Sequence, residues 1–469
     1  MKIEQLYTGC LAQGAYYIES NGEVAIIDPL REVQTYIDLA SERNSKIKYI
    51  FETHFHADFV SGHVTLAQKT GAPIVFGPNA APTFETTIAV DNQEFKLGDV
   101  TIRVLHTPGH TMESTCYLLL DENNKEHAIF SGDTLFLGDV GRPDLAQKSA
   151  DITQEDLAGM LFESLRSKVM TLPDDTIVYP GHGAGSACGK NMSTETVGVL
   201  GDQKATNYAL RASMTKQEFI DEVTEGLLPP PAYFPMNVRM NKEGYTDVAE
   251  VIKRGSNGMS PDVFELAANE TSAVVLDVRH QSDFVKAHIP RSTFIGIDGG
   301  FAPWVGTLIK DGAQPILIIA PEGRVEETIV RLSRVGFDHV LGYLEGGIAA
   351  WSDSGKATDS IETISAEEFA ALKATTEVNV IDVRKESEFQ AEHVLDAQNA
   401  PLSEINLHLN QFNKEGKNFV HCAGGYRSVI ANSILKARGI HNAIDVLGGF
   451  NAIKETEMSL TTFVCPSEL

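Results

Sequence analysis

Short apolar runs alternate with helical patterns along the first half of the chain. Ala25-Ile26-Ile27-Asp28 and Tyr49-Ile50-Phe51-Glu52 read as strands that run into loops. Val60 to Gly71 reads as a helix closed by its glycine. Val100-Thr101-Ile102-Arg103-Val104-Leu105 alternates with the period of a strand, and Ala128-Ile129-Phe130-Ser131 reads as a short buried one. The pattern breaks at Leu228-Pro229-Pro230-Pro231-Ala232-Tyr233-Phe234-Pro235. Prolines at that density cannot continue a helix or a central strand, so a boundary is expected there. A helical piece, Val248 to Lys253, follows as a connector.

The second half repeats itself. Val274-Val275-Leu276-Asp277-Val278-Arg279 matches Val380-Ile381-Asp382-Val383-Arg384, and Ser282-Asp283-Phe284 matches Ser387-Glu388-Phe389. Gly346-Gly347 and Gly448-Gly449 close the two copies, displaced by roughly 100 residues. Each copy reads strand–helix–strand–helix, with strands such as Pro315 to Ile319 and Asn418 to His421. Two small α/β domains with parallel sheets are expected.

Composition narrows the function classes. At 469 residues the chain has room for about three domains, each with its own core. The excess of 64 acidic over 38 basic residues, a net charge of −26, disfavours nucleic acid and anionic membrane surfaces. A basic pocket for an anionic substrate must be local. The N-terminal residues lack the apolar core of a secretory signal, and no run is long enough to span a membrane. The five cysteines are widely spaced, which predicts free thiols in a reducing cytoplasm.

Chemistry concentrates in a few loops. His54, His56 and Asp58 alternate just after a strand, and Phe59 follows them. His110 in Thr107-Pro108-Gly109-His110, Asp133 in Ser131-Gly132-Asp133 and His182 in Tyr179-Pro180-Gly181-His182 each follow an apolar run and lie beside glycine. Loops at strand ends are where α/β proteins place functional groups, and imidazole with carboxylate suits zinc, iron or manganese. His63 and His106 read as ordinary structural histidines. Near the C-terminus, Phe419-Val420-His421-Cys422-Ala423-Gly424-Gly425-Tyr426-Arg427-Ser428 places a cysteine in a glycine-containing loop before a helical stretch, Val429 to Ala437. Loop N–H groups and the helix dipole favour a thiolate, an anion or a persulfide there. Cys188, in a glycine-rich segment just after His182, is either a persulfide-carrying thiol or a loop cysteine without a role. Cys10, Cys116 and Cys465 read as incidental.

The ordered loops around His54, His110, Asp133 and His182 resemble the metallo-β-lactamase fold, an αββα sandwich with metal at one edge. Two-metal hydrolases of the glyoxalase II type carry a histidine where Phe59 stands. A second metal here would keep Asp58 and His182, with Asp133 bridging. The set is more similar to the persulfide dioxygenases. That resemblance implies one Fe(II) held by His54, His110 and Asp133, a facial triad with open positions, although zinc can load the same triad. His56, Asp58 and His182 become orienting groups or additional ligands. Gly138 to Asp144 also resembles that family, which implies that Arg142 supplies charge for an anionic thiol substrate; the alternative is a salt bridge.

The loop from Cys422 to Arg427 resembles that of rhodanese, a sulfurtransferase. Cys422 and Arg427 are then catalytic, with Ala423, Gly424, Gly425 and Tyr426 lining the sulfur. The first copy aligns Ala320-Pro321-Glu322-Gly323-Arg324-Val325 with that loop. It has no nucleophile, so an inactive domain is expected there.

The expected architecture is α/β and multidomain: a metallo-β-lactamase-fold domain over 1–240, a linker over 241–257, an inactive rhodanese-like domain over 258–358 and an active one over 359–469. The implied activity is oxidation of a glutathione or coenzyme A persulfide by O2 to sulfite. Sulfur transfer through Cys422 would either form thiosulfate or supply persulfide, in sulfide detoxification. A homo-oligomer is expected from the same resemblance. The alternatives are a zinc thioester hydrolase with accessory rhodanese-like domains, and a non-catalytic sulfur relay through Cys422.

Overall fold

The computed structural model describes residues 1–145, 152–190, 192–227 and 229–464. Cys465 and Leu228 lie outside the described residues. The chain divides into two compact units. One comprises Met1–Ala249 with Leu332–Gly336, the other Glu250–Arg331 with the chain from Phe337 on.

The first unit is built on two six-stranded sheets. In one, β1 (Lys2–Thr8), β2 (Gln13–Ser20), β3 (Glu23–Ile27), β4 (Lys46–Glu52), β5 (Ile74–Phe76) and β6 (Thr87–Ile88) lie in chain order. The other comprises β7 (Glu94–Leu97), β8 (Val100–His106), β9 (Thr115–Leu120), β10 (Glu126–Gly132), β11 (Ile177–Pro180) and β12 (Gly198–Val199), also in chain order. Alternation along each strand assigns its side chains to two layers. Tyr16 and Ile18 join Phe51, Ile102, Val104, Tyr117 and Phe130 in the core between the sheets. Ala15 and Tyr17 point the other way, into a core with Tyr36, Ala40 and Leu66 of the helices Gln34–Glu42 and His63–Thr70. Leu118 and Ile129 of the second sheet likewise join Leu161 and Phe219 of the helices Gln154–Ser164 and Lys216–Thr224. Thr153 and Thr215 start these last two helices with reciprocal capping boxes to Asp156 and Glu218. Helices thus cover the outer faces of two packed sheets, the αββα sandwich.

The helix expected over Val60 to Gly71 begins only at His63. The preceding residues are held outside it, because Ser61 N–H donates to Asn241 Oδ1 and Gly62 N–H to the Pro29 carbonyl.

The second unit contains two five-stranded parallel sheets of identical topology. The first orders β13 (Gly258–Met259), β17 (Val340–Leu344), β16 (Ile316–Ile319), β14 (Val274–Asp277) and β15 (Thr293–Phe294). The second orders β18 (Glu362–Ile364), β22 (Ala443–Val446), β21 (Asn418–His421), β19 (Asn379–Asp382) and β20 (Gln398–Asn399). The internal repeat of the sequence is therefore a repeat of structure. In each copy the Asp-Val-Arg element folds back on itself: Arg279 forks onto Asp277, and Arg384 onto Asp382, at 2.6 Å. No helix among the described residues is long and apolar enough to cross a membrane.

Candidate metal centre and sulfur-transfer loop

The metal-site residues sit where strands of the two sheets end. β4 delivers His54, β8 leads to His110, β10 to Asp133 and β11 to His182. His54, His110 and Asp133 are buried together, with their ligand atoms within 4.8 Å of one another. His110 Nε2 lies 3.3 Å and His54 Nε2 3.9 Å from Asp133 Oδ2.

The outward-facing nitrogens are held by other groups. His110 Nδ1–H donates to the Arg142 carbonyl at 2.8 Å. Thr53 Oγ1 gives its own hydrogen to Asp28 Oδ2 at 2.8 Å, so it accepts from His54 Nδ1–H at 3.0 Å. Each bond fixes the tautomer that leaves Nε2 free to ligate. Burial first, then the neighbouring imidazoles, pushes His54 well below the ordinary histidine range, so its ring is neutral. Both Asp133 oxygens are buried without a hydrogen-bond partner among the described residues. Buried carboxylate oxygens without hydrogen-bond donors, beside imidazole nitrogens turned toward them, fit a bound cation. Gly181 allows this closeness, since a Cβ there would lie 2.6 Å from Asp133 Oδ1.

The other residues of the opening turn separate into two groups. His56 faces away from the triad, with Nε2 3.1 Å from Asp28 Oδ1 and 3.4 Å from Glu52 Oε2. Burial opposes its charge, but Asp28 and then Glu52 outweigh it and raise His56 well above the ordinary range. Asp58 and His182 face each other at 3.4 Å, and Cys188 joins them, all three buried. Phe59 packs on the His56 ring, with centroids 4.3 Å apart. Burial, reinforced by Asp58 and Asp133, pushes the Cys188 thiol well above the ordinary range.

Arg142 is buried and forks onto Asp144 at 2.6 and 2.7 Å, while its Nη1 donates to the Ala187 carbonyl. Its ion pair is thus internal to the site wall. Two further residues hold the site and carry no motif. Asp28, besides anchoring Thr53 and His56, is only the polar end of an apolar strand in the sequence. Asn241 donates to the carbonyls of His56 and Phe59 at 2.8 Å from a segment that reads as linker. Both are buried in the structure, and nothing in the sequence marks either one.

In the second unit β21 ends at His421, and the helix Tyr426–Ala437 starts at Gly425, whose φ is +91°. Cys422 lies buried between them. Gly425 N–H points at its sulfur at 3.1 Å, and Ser428 Oγ lies 3.6 Å from it. Arg427 forks onto Glu388 at 2.6 and 2.9 Å, which joins the loop to the repeated Ser387-Glu388-Phe389 element. Tyr426 points the other way. Its hydroxyl donates to the Gly296 carbonyl of the first copy at 2.7 Å, and a Cβ on Gly299 would lie 2.3 Å from its Cζ. Ala423 and Gly424 complete the loop. The first copy presents Ala320 at the equivalent place, and Arg324 there pairs with Glu327 and Asp298.

The comparisons agree with this division. Residues 8–182 match the metallo-β-lactamase superfamily, and residues 260–354 and 365–456 each match the rhodanese-like domain. A metallo-β-lactamase structure from Staphylococcus aureus subsp. aureus COL superposes with a TM-score of 0.64 at 31% identity, covering 73% of this chain and 98% of that one. A probable hydroxyacylglutathione hydrolase (glo2) of Schizosaccharomyces pombe is 35% identical over 162 residues, 34% of this chain and 58% of its own length. A cytoplasmic hydroxyacylglutathione hydrolase of Arabidopsis thaliana is 32% identical over 187 residues, 39% of this chain and 67% of its own. The match to the first of these relatives thus spans little more than half of its length. The chain belongs to the metallo-β-lactamase superfamily and carries two rhodanese-like domains behind that fold.

Proposed function

We propose that the chain is an iron-dependent persulfide dioxygenase joined to a sulfurtransferase. One observation carries the reading: a buried triad of two imidazoles and one carboxylate shares a chain with a rhodanese-like loop bearing Cys422. Bound Fe(II) would supply the activation of O2 and leave open positions for it and for sulfur. His54, His110 and Asp133 hold the metal. Asp28, through Thr53, and the Arg142 carbonyl keep the two rings turned toward it. The substrate is the persulfide of a small thiol such as glutathione or coenzyme A. One persulfide, O2 and water give the thiol, sulfite and two protons.

Cys422 is the nucleophile of the second chemistry. Its thiolate attacks the outer sulfur of a donor such as thiosulfate. The bond to sulfite breaks, and Cys422 keeps the sulfur as a persulfide, with Gly425 N–H beside it. A thiolate acceptor then takes that sulfur and frees Cys422; run in reverse with sulfite as acceptor, the same steps yield thiosulfate. Arg427, fixed by Glu388, places positive charge beside the anionic donor. We place the functional boundaries near residues 240, 258 and 358, with the first copy lacking sulfurtransfer of its own. Glutathione persulfide added in an oxygen electrode should give O2 uptake matched by sulfite.

The named relatives favour a second reading, hydrolysis of a hydroxyacylglutathione thioester by two zinc ions. Thioester cleavage without O2 uptake from glutathione persulfide would replace the first reading with this one.

A further inference from the structure

Cys422 must shed a proton before it can attack sulfur, and it is buried from water. Two groups among the described residues bond its sulfur. Gly425 N–H at 3.1 Å can only donate, whereas Ser428 Oγ, which accepts from the thiol at 3.6 Å, can also pass a proton on.

Ser428 is fully buried in the first turn of the helix Tyr426–Ala437, and β22 lies behind it. Asp445 of β22 is the register partner of Val420, two residues before the cysteine. Alternation points Asp445 away from the core that holds Phe419, Ile444 and Val446, toward the face that this helix covers. Ser428 hydrogen-bonds its carboxyl. Cys422, Ser428 and Asp445 thus form a line from the sulfur into the seam between helix and sheet.

Asp445 has no cation of its own. Its Oδ1 is buried without a hydrogen-bond partner among the described residues. On the covering helix Arg427 pairs with Glu388 and Lys436 with Asp359. Glu362 of β18 pairs with Lys417, and His421 of β21 stacks on Phe450 in the opposite core. Burial therefore pushes the Asp445 carboxyl up to about 7, where an acid accepts and returns a proton at neutral pH.

The repeat supplies an independent comparison. The first copy has the same sheet topology but carries none of the three groups: Ala320, Glu326 and Tyr343 stand at the places of Cys422, Ser428 and Asp445. The serine and the carboxylate therefore go with the nucleophile and not with the fold.

We propose that Ser428 and Asp445 carry the proton of Cys422, one proton being shared between thiol and carboxylate through the serine hydroxyl. This rests on the reading of Cys422 as the nucleophile and not on the metal centre. The Cys422 S–H bond breaks as its proton passes to Ser428 Oγ, and the Ser428 hydroxyl proton passes to Asp445. Thiol and carboxylate become thiolate and carboxylic acid with no change in total charge. The thiolate attacks the outer sulfur of thiosulfate, the S–S bond breaks, and sulfite leaves with the electron pair. Cys422 then holds a persulfide anion, Asp445 keeps the proton, and Ser428 donates to the sulfur. Asp445 touches no substrate; it is a positioning residue for the proton.

Two pH profiles of the full chain test this: kcat/KM for thiosulfate with cyanide as acceptor, and the rate of iodoacetamide alkylation of Cys422, read on its peptide by mass spectrometry. Asp445→Asn and Ser428→Ala should each return the thiol toward its ordinary range near 8.5. Both rates should then fall about tenfold at pH 7, with the deficit closing as pH rises. The double variant should be no worse than either single one, because the two groups act in one line. Profiles that keep their shape, a loss equal at every pH, or additive losses overturn the relay. A chain that forms no thiocyanate overturns sulfurtransfer instead, and the alkylation profile still decides where the proton goes.

Discussion

His110 and Asp28 do different work at the same centre, and their variants should fail differently. His110→Ala removes a ligand. Persulfide-dependent O2 uptake should be abolished, while thiocyanate formation from thiosulfate and cyanide continues at Cys422. Asp28→Asn leaves every ligand in place but weakens the acceptor that holds Thr53, and through it His54. Iron affinity should fall by about 10- to 100-fold, read by competition with a chelator, with O2 uptake partly restored at high iron. This contrast also explains what the sequence conceals. His54 is legible from its alternation with His56 and Asp58 just after a strand, and His110 and Asp133 from glycine-flanked loops after apolar runs. Asp28 and Asn241 are not, because their partners lie 25 to 185 positions away along the chain and follow no spacing rule.

The elements that serve the second chemistry come from both copies of the repeat. The helix Tyr426–Ala437 begins at the cysteine loop, yet its first residue and Ser433 bond to the first copy, Ser433 through Phe294 N–H. Lys436 pairs at 2.9 Å with Asp359, at the junction where the second copy begins. The copy without a nucleophile therefore helps hold the active loop. Gly299→Val would force the Tyr426 ring out of its place, and sulfurtransfer kcat/KM should fall about tenfold for a displacement on the order of 1 Å. Tyr426→Ala in the same chain opens the space and should recover part of that loss. A pair that loses activity additively would show that the contact does not set the loop. The repeat, both parallel sheets and the cysteine loop were legible from strand periodicity and paired motifs. The contact between the copies was not, because Gly296 and Gly299 mark it only by lacking side chains.

At the scale of the whole molecule, the acidic surface sets solubility, while buried carboxylates set how stability varies with pH. Asp445 lies in β22, between β18 and β21, and burial pushes its carboxyl up to about 7 despite a hydrogen bond from Ser428. In the unfolded chain the same group titrates near 4. Below that value both states carry the proton, and Asp445 costs nothing. As pH rises from about 4 to about 7 the unfolded chain ionises while the folded one stays protonated, so stability falls; above 7 the deficit is constant at roughly 4 kcal/mol. Asp445→Asn retains a polar partner for Ser428 and removes the titration. It should therefore slow amide hydrogen exchange in β21 and β22 at pH 8 and leave it unchanged near pH 4, with β9 and β10 of the other unit as the internal reference. Equal gains at both pH values would mean that the effect is packing and not ionisation.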